Sequence, residues 1–261
     1  MTRHVTVTGA TGRLGRALVP RLVEAGHVVR ALSRRPGPPP SGPSGTSGGA
    51  LEWRTVDLRD EDAVRSVLAG TDTVVHCATT NGRRDVDVTH SLLSAAATTG
   101  VGHLIDVSIV GVDRVDLPYY RAKLACERLV EESGVPWTIQ RATQFHDLLV
   151  AVFAAQRRLP VVLVPAGVSF QPVDVRDVVE RLVALVESGP AGRAADVGGP
   201  EIRPVSDLAR DYLRAVGSRR RVVSARVPGS AMRGYRAGGH LAPEHATGTR
   251  TFTDYLSGLP R

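Results

Sequence analysis

The sequence predicts an α/β fold: a doubly wound parallel sheet of the Rossmann type with a small C-terminal substrate-binding or lid portion. Three observations predict it. Short apolar, β-branched runs alternate with amphipathic runs of helical period as far as His146. Three glycines, Gly9, Gly12 and Gly15, stand between the first strand-like run and the first helix-like run. Beyond His146 the alternation becomes irregular. Residues 1–147 therefore read as a dinucleotide-binding core, and 148–261 as a smaller portion interwoven with it.

His4–Thr8 reads as the first strand and Arg13–Ala25 as the first helix, with Leu14, Leu18, Leu22 and Val23 toward the sheet and Gly26 ending it. Glycines between them allow a ligand to approach backbone that a Cβ would block. The unpaired N–H groups and positive dipole end of the helix then favour a pyrophosphate. The alternative is a tight turn that needs glycine for its shape alone.

His27–Ser33 reads as the second strand. A carboxylate closes this strand in folds that prefer NAD and binds the ribose hydroxyls. Here the strand ends Ser33-Arg34-Arg35. Two guanidiniums suit a 2′-phosphate, so NADP(H) is expected over NAD(H). Pro36–Gly49 contains only Pro, Gly, Ser and Thr and reads as a flexible loop. Leu51–Val56 is the third strand and leads into Asp57-Leu58, followed by a short helix over Asp60–Ala69. Asp72–Cys77 is the fourth strand. The small residues Cys77, Ala78 and Thr79 at its end suit close passage beside a bound cofactor. A helix over Val86–Thr99, closed by Gly100, leads to the fifth strand, His103–Ser108. The ligand is expected across the carboxyl ends of these strands, beside the first.

Tyr119-Tyr120-Arg121-Ala122-Lys123 opens a long helix running to Glu132. Tyr119 and Lys123, four apart, share one face of it. A phenol can protonate a carbonyl that accepts a hydride. A neighbouring ammonium lowers the pKa of that phenol and can hold ribose hydroxyls. Ser108, ending the fifth strand, can fix the substrate oxygen. Lys123 is the only lysine among 33 basic residues, which marks a position needing a compact ammonium. The plainer alternative has both tyrosines packing the helix and Lys123 pairing with Glu127. Val135–Arg141 is the sixth strand, and the turn after it, with Ala142 and Thr143, is expected to close over the nicotinamide. His76, His103 and His146 read as structural.

In the remainder, helices are expected over Leu148–Ala155, Asp174–Glu187 and Val205–Val216. Strands are expected over Pro160–Val164, Val168–Pro172 and Ala194–Gly198. An Arg-rich stretch, Ser218–Arg226, and a loop of small residues, Gly229–Gly239, follow. No repeat appears.

The net charge of +7 could indicate nucleic acid, but only Arg219–Arg221 cluster, and aromatics are just 4% with no interleaved motif. Cys77 and Cys126 lack metal-ligand spacing and read as small core residues, so no metal is expected. No run reaches the ~18 apolar residues of a membrane span, and the first strand starts almost at once. A cytoplasmic monomer or homodimer acting on a small molecule is the expectation, without nucleic acid or membrane as partner.

Several of these stretches together resemble the atypical short-chain dehydrogenase/reductase superfamily, in its NmrA-like NAD(P)H-binding branch. Thr8-Gly9-Ala10-Thr11-Gly12-Arg13-Leu14-Gly15 is similar to its phosphate loop, and Asp57-Leu58 to its adenine-contacting pair. Ser108–Asp113 with Tyr119–Lys123 resembles its active-site strand and helix. Phe170–Asp177 resembles its joining segment, and Thr249–Leu256 its tail. The resemblance implies that Gly9, Thr11, Gly12, Arg13 and Leu14 line the pyrophosphate. Arg34 would meet the adenine ribose phosphate and Lys123 the nicotinamide ribose. It implies an NADPH-dependent oxidoreductase of a small quinone or carbonyl compound. A non-catalytic redox sensor and a sugar-nucleotide epimerase or dehydratase share the same implied fold.

Overall fold

The computed structural model describes residues 1–35 and 50–259. In chain order the elements are β1 (His4–Thr8), α1 (Arg13–Glu24), β2 (Val28–Ser33), β3 (Leu51–Thr55), α2 (Glu61–Leu68), β4 (Thr73–His76), α3 (Arg84–Thr99), β5 (His103–Ile109), α4 (Pro118–Glu132) and β6 (Trp137–Ala142). Then come α5 (His146–Ala155), β7 (Val161–Pro165), β8 (Ser169–Phe170), α6 (Val175–Ser188), β9 (Gly192–Arg193), β10 (Arg203–Pro204), α7 (Val205–Ala215), β11 (Arg221–Ala225), α8 (Ser230–Arg236) and α9 (Phe252–Ser257). The expected loop at Pro36–Gly49 lies outside the described residues.

Seven strands form one sheet in the order β3-β2-β1-β4-β5-β6-β9. The pairings of β1 with β2 and β4, of β2 with β3, of β4 with β5 and of β6 with β9 are all parallel. The order reverses at β1, where the chain turns from building toward β3 to building toward β5. This is the doubly wound α/β sheet that the alternation predicts, with its switch point beside the glycine turn. Buried on both faces, β4 carries two valines at its centre, between Thr73 and His76.

The chain divides into two compact units. The first comprises Met1–Ser108, Arg121–Gln140 and Val179–Ala194; the second comprises Ile109–Tyr120, Arg141–Val178 and Ala195–Arg261. In the first, Leu32, Val64, Leu68, Val74, Leu92 and Leu104 centre an apolar cluster. In the second, Leu149, Phe153, Val162, Leu208, Tyr212 and Phe252 do the same.

Four expected segments differ. The loop at Gly229–Gly239 contains the helix α8, because Gly234 packs against the chain: a Cβ there would lie 3.0 Å from the Arg114 carbonyl oxygen. The Arg-rich stretch contains β11, which pairs in parallel with β7. The strand expected at Ala194–Gly198 forms just before that span, at Gly192–Arg193, and within it only the single bridge of Val197 to Ala142 remains. Similarly, β8 keeps only Ser169–Phe170 and pairs with Arg203–Pro204; Pro172, lacking an N–H, cannot extend it. Among the described residues no helix is long and apolar enough to cross a membrane.

Candidate cofactor and active site

In the first unit, the three glycines of the β1–α1 turn have different reasons to be glycine. Gly9 has φ +65°, and a Cβ on it would lie 2.7 Å from the backbone of Ala78 at the end of β4. A Cβ on Gly15 would collide with the Gly9 carbonyl oxygen and lie 2.7 Å from the Ala10 Cα. Those two serve the close packing of turn, helix and strand. Gly12 is exposed, has an extended backbone, and meets only the Gly9 carbonyl oxygen, at 3.0 Å. It is the N-cap of α1, which has no side-chain cap and no acidic residue in its first turn. An open glycine before an uncapped helix start of positive dipole is the cradle that a pyrophosphate fits. Leu14 is buried beneath this turn, while Arg13 is exposed and Thr11 half-exposed at its rim.

At the carboxyl ends of β2 and β3, the Val56 N–H donates to the Ser33 carbonyl oxygen at 2.9 Å. Ser33 is buried and its hydroxyl donates to the Arg35 carbonyl oxygen; Arg34 and Arg35 are exposed. The Arg59 guanidinium hydrogen-bonds the Asp57 carboxylate and holds it down to about 2, with the Arg34 charge adding to the effect. Leu58 is buried beside it. Asp57 is therefore anionic at neutral pH but already engaged, and the exposed charges left at this corner are basic.

The end of β4 is fixed by groups the sequence did not single out. The Ala78 N–H donates to the Thr8 hydroxyl at 3.3 Å. Asp85, buried in the first turn of α3, accepts from the Thr79 hydroxyl at 2.6 Å and from the Thr80 N–H and hydroxyl. Its place in the first turn of a helix, a few residues after Thr79 and Thr80, was a signal available in the sequence. Cys77 is half-buried, and burial pushes its thiol up to about 12, which makes it unreactive.

Behind this edge runs a buried polar row. Thr8, His76 and Asp106 are register partners across β1, β4 and β5. His76 Nδ1 lies 2.8 Å from the Thr8 hydroxyl and its Nε2 lies 3.3 Å from that of Thr89. Burial lowers its pKa to about 3, so the ring is neutral. Lys123, 4% exposed, reaches the fully buried Asp106, Nζ to Oδ1, at 3.4 Å. Burial pushes the Asp106 carboxyl up to about 6 against the pull of Lys123. Glu127, also fully buried, pairs with Arg193 at 3.0 Å. Ser108, two residues beyond Asp106 on the same face of β5, is buried and its hydroxyl has no hydrogen-bond partner among the described residues. Ser108 and Lys123 thus belong to the first unit. Asp106 was missed, though the alternation Asp106, Ser108 within an apolar run was legible.

Tyr119 belongs to the second unit and is half-exposed. Its ring meets that of Tyr120 edge-on at 6.4 Å. Tyr120 is buried; its hydroxyl accepts from the Gln144 amide at 3.0 Å and from the Tyr235 hydroxyl at 3.3 Å. Burial drives the Tyr120 phenol well above its ordinary value, so it packs rather than titrates. Ala142 accepts from the Val110 N–H at 3.0 Å, and the Thr143 N–H donates to Val197 at 2.9 Å. The Thr143 hydroxyl donates to the Gln171 carbonyl oxygen at 2.5 Å, so that side chain is engaged in holding its own turn. His146 donates from Nε2 to the Arg250 carbonyl oxygen at 3.0 Å, and its ring lies tilted beside that of Tyr255, 5.2 Å between centroids. Among the described residues no cluster of metal-ligating side chains occurs.

A family described as NAD(P)H-binding matches residues 9–152, which begins at the first glycine of the turn and ends within α5. An uncharacterized protein of Mycobacterium tuberculosis is 32% identical over 233 residues, covering 82% of this chain and 25% of its own length. The chain thus spans about a quarter of the length of the first curated relatives it matches. The (4-alkanoyl-5-oxo-2,5-dihydrofuran-3-yl)methyl phosphate reductase of Streptomyces griseus is 33% identical over 217 residues, covering 82% of this chain and 74% of its own. An NADPH-dependent quinone oxidoreductase of Escherichia coli, solved with NADPH, superposes with a TM-score of 0.77 over 97% of this chain and 98% of its own. At 17% identity that likeness speaks to the fold. The glycine cradle, the switch-point topology and the matched residues agree, and the chain belongs to the NAD(P)H-binding family.

Proposed function

We propose that the protein is an NADPH-dependent oxidoreductase that reduces a small quinone or carbonyl compound. The observation that carries it is the buried, unpartnered Ser108 hydroxyl at the carboxyl end of β5, next to the Asp106–Lys123 pair. A buried hydroxyl with no partner costs free energy unless something outside the chain completes it. The reductase names of relatives point the same way.

In this reading Gly12 and the first turn of α1 bind the pyrophosphate. Arg34 and Arg35 take the 2′-phosphate, and Asp57 and Leu58 face the adenine. Cys77, Ala78 and Thr79 give the cofactor passage, and Lys123 holds the nicotinamide ribose. The bound cofactor supplies the hydride. Ser108 orients the acceptor oxygen, and Tyr119 is the candidate proton donor that Tyr119→Phe tests. Ala142 and Thr143 are the candidates for the nicotinamide side, and residues 148–261 for the choice of acceptor.

The test follows NADPH consumption with a panel of quinones and aldehydes, for wild type, Tyr119→Phe and Arg34→Ala, with NADH alongside. Turnover of aldehydes that drops at least ~100-fold in Tyr119→Phe is expected for general-acid catalysis. Quinone turnover surviving that change assigns direct hydride transfer. Arg34→Ala raises KM for NADPH and not for NADH. Tight NADPH binding without turnover of any acceptor refutes the enzyme reading in favour of a redox sensor.

A further inference from the structure

We infer that Asp106 is a positioning residue, whose carboxylate sets the direction of the Lys123 ammonium and so determines how well the chain grips the nicotinamide ribose of its cofactor. The inference rests on the reading of Lys123 as the ribose anchor and adds a residue that acts through it.

The pair is poorly explained by stability. Both groups are buried, the contact is long at 3.4 Å, and Asp106 Oδ2 is buried with no hydrogen-bond partner among the described residues. Desolvation of two such charges commonly cancels their attraction, and apolar residues of similar volume often do as well. The orphaned oxygen adds a further cost. Placement explains the pair better. Asp106 lies at the same register as His76 and Thr8, in the row under the strand ends that face the glycine turn. It precedes the unpartnered Ser108 by two residues on one face of β5. A compact ammonium on a flexible stem has no preferred direction of its own. A carboxylate fixed in a central strand supplies one.

The groups whose charges act around the pair are His76 and Cys77 at the end of β4, Asp85 on α3, and Cys126 and Glu127 beside Lys123 on α4. His76 is neutral, and burial pushes both thiols upward and leaves them uncharged. Glu127 is taken by Arg193, and Asp85 by Thr79 and Thr80. Asp106 contacts Lys123 directly, Nζ to Oδ1 at 3.4 Å. Its pKa of about 6 makes the contact depend on pH near neutrality.

The experiment measures NADPH dissociation constants by fluorescence titration of the full chain, for wild type, Asp106→Asn, Lys123→Gln and the double variant, between about pH 5 and 8. At the upper end, Asp106→Asn and Lys123→Gln each weaken binding about tenfold or more, and the double variant is no weaker than Lys123→Gln alone. As pH falls through about 6, wild type weakens toward Asp106→Asn. The cofactor phosphate, which titrates near pH 6 as phosphate esters do, acts on both proteins and cancels in their ratio. Independent, additive effects in the double variant, or a ratio that does not change with pH, overturn the inference. Normal binding by Asp106→Asn beside weakened binding by Lys123→Gln overturns it too, and leaves the ribose-anchor reading standing. Normal binding by Lys123→Gln shows that reading itself to be wrong, and the inference falls with it. Where Asp106→Asn does not fold, wild-type binding of NADH, which lacks the 2′-phosphate, decides. Affinity that declines below about pH 6 supports the inference, and a constant affinity refutes it.

Discussion

A carboxyl buried as completely as that of Asp106 releases its proton reluctantly, and this has a consequence for stability apart from cofactor binding. Its pKa rises from an ordinary 3.8 to about 6 in the folded chain. Below about pH 4 the group is protonated whether the chain is folded or not, and its contribution is fully present. As pH rises through about 6 the unfolded chain has already ionised, and the folded one must follow at a cost. The loss is up to about 3 kcal/mol, at 1.36 kcal/mol for each tenfold step. Urea unfolding of wild type and Asp106→Asn across this range is expected to show wild type losing stability relative to the variant between about pH 4 and 6, with a constant gap above. A gap independent of pH disproves the assignment. The residue scale also shows what the sequence made legible. Lys123 stood out as the sole lysine. Asp106 did not, because one carboxylate in an apolar strand carries no sign of its partner, which lies seventeen residues on, in another element.

The β1–α1 turn separates two uses of glycine that a spacing motif cannot. At Gly9 and Gly15 an added methyl meets backbone of the same chain, and backbone cannot move aside cheaply. At Gly12 it meets one carbonyl oxygen at 3.0 Å and otherwise open space, with φ −74°, which alanine adopts readily. Gly15→Ala is therefore expected to lower the thermal midpoint by several degrees or abolish folding, at a cost of roughly 1–3 kcal/mol or more. Gly12→Ala is expected to melt near wild type, within ~1 kcal/mol, yet bind NADPH at least about tenfold more weakly. Gly12→Ala with normal NADPH affinity breaks the assignment of the cradle. Elements with strong local periodicity were legible: β1, α1, α4 and α7 lie within a residue or two of their expected bounds. Elements made by distant pairing were not. The strand β11 is mostly exposed and exists because β7 lies beside it; α8 looks like a loop because its glycine serves packing against Arg114 and Val115.

Across the whole molecule, the first unit takes a segment from far down the chain, and this decides where the protein can be cut. Val179–Ala194 brings β9, which extends the main sheet beside β6, and most of α6. Val179, Leu182, Val183, Leu185 and Val186 of α6 are all buried. Arg21 on α1 bonds Glu180 at 2.8 Å, and Arg181 bonds Gln140 at 3.2 Å, so the segment is tied by polar contacts as well. Five buried aliphatic side chains at ~1.5–3 kcal/mol each amount to roughly 10 kcal/mol. A typical domain has a net stability of only about 5–15 kcal/mol. A fragment ending at residue 147, where local pattern changes, would lose all of this and expose the apolar surface that α6 covers. It is expected to lack a cooperative thermal transition and to bind a hydrophobic dye, while the full chain melts cooperatively. A fragment that melts cooperatively and binds NADPH as the full chain does would show that β9 and α6 are accessories, and that the first unit is complete without its distant segment.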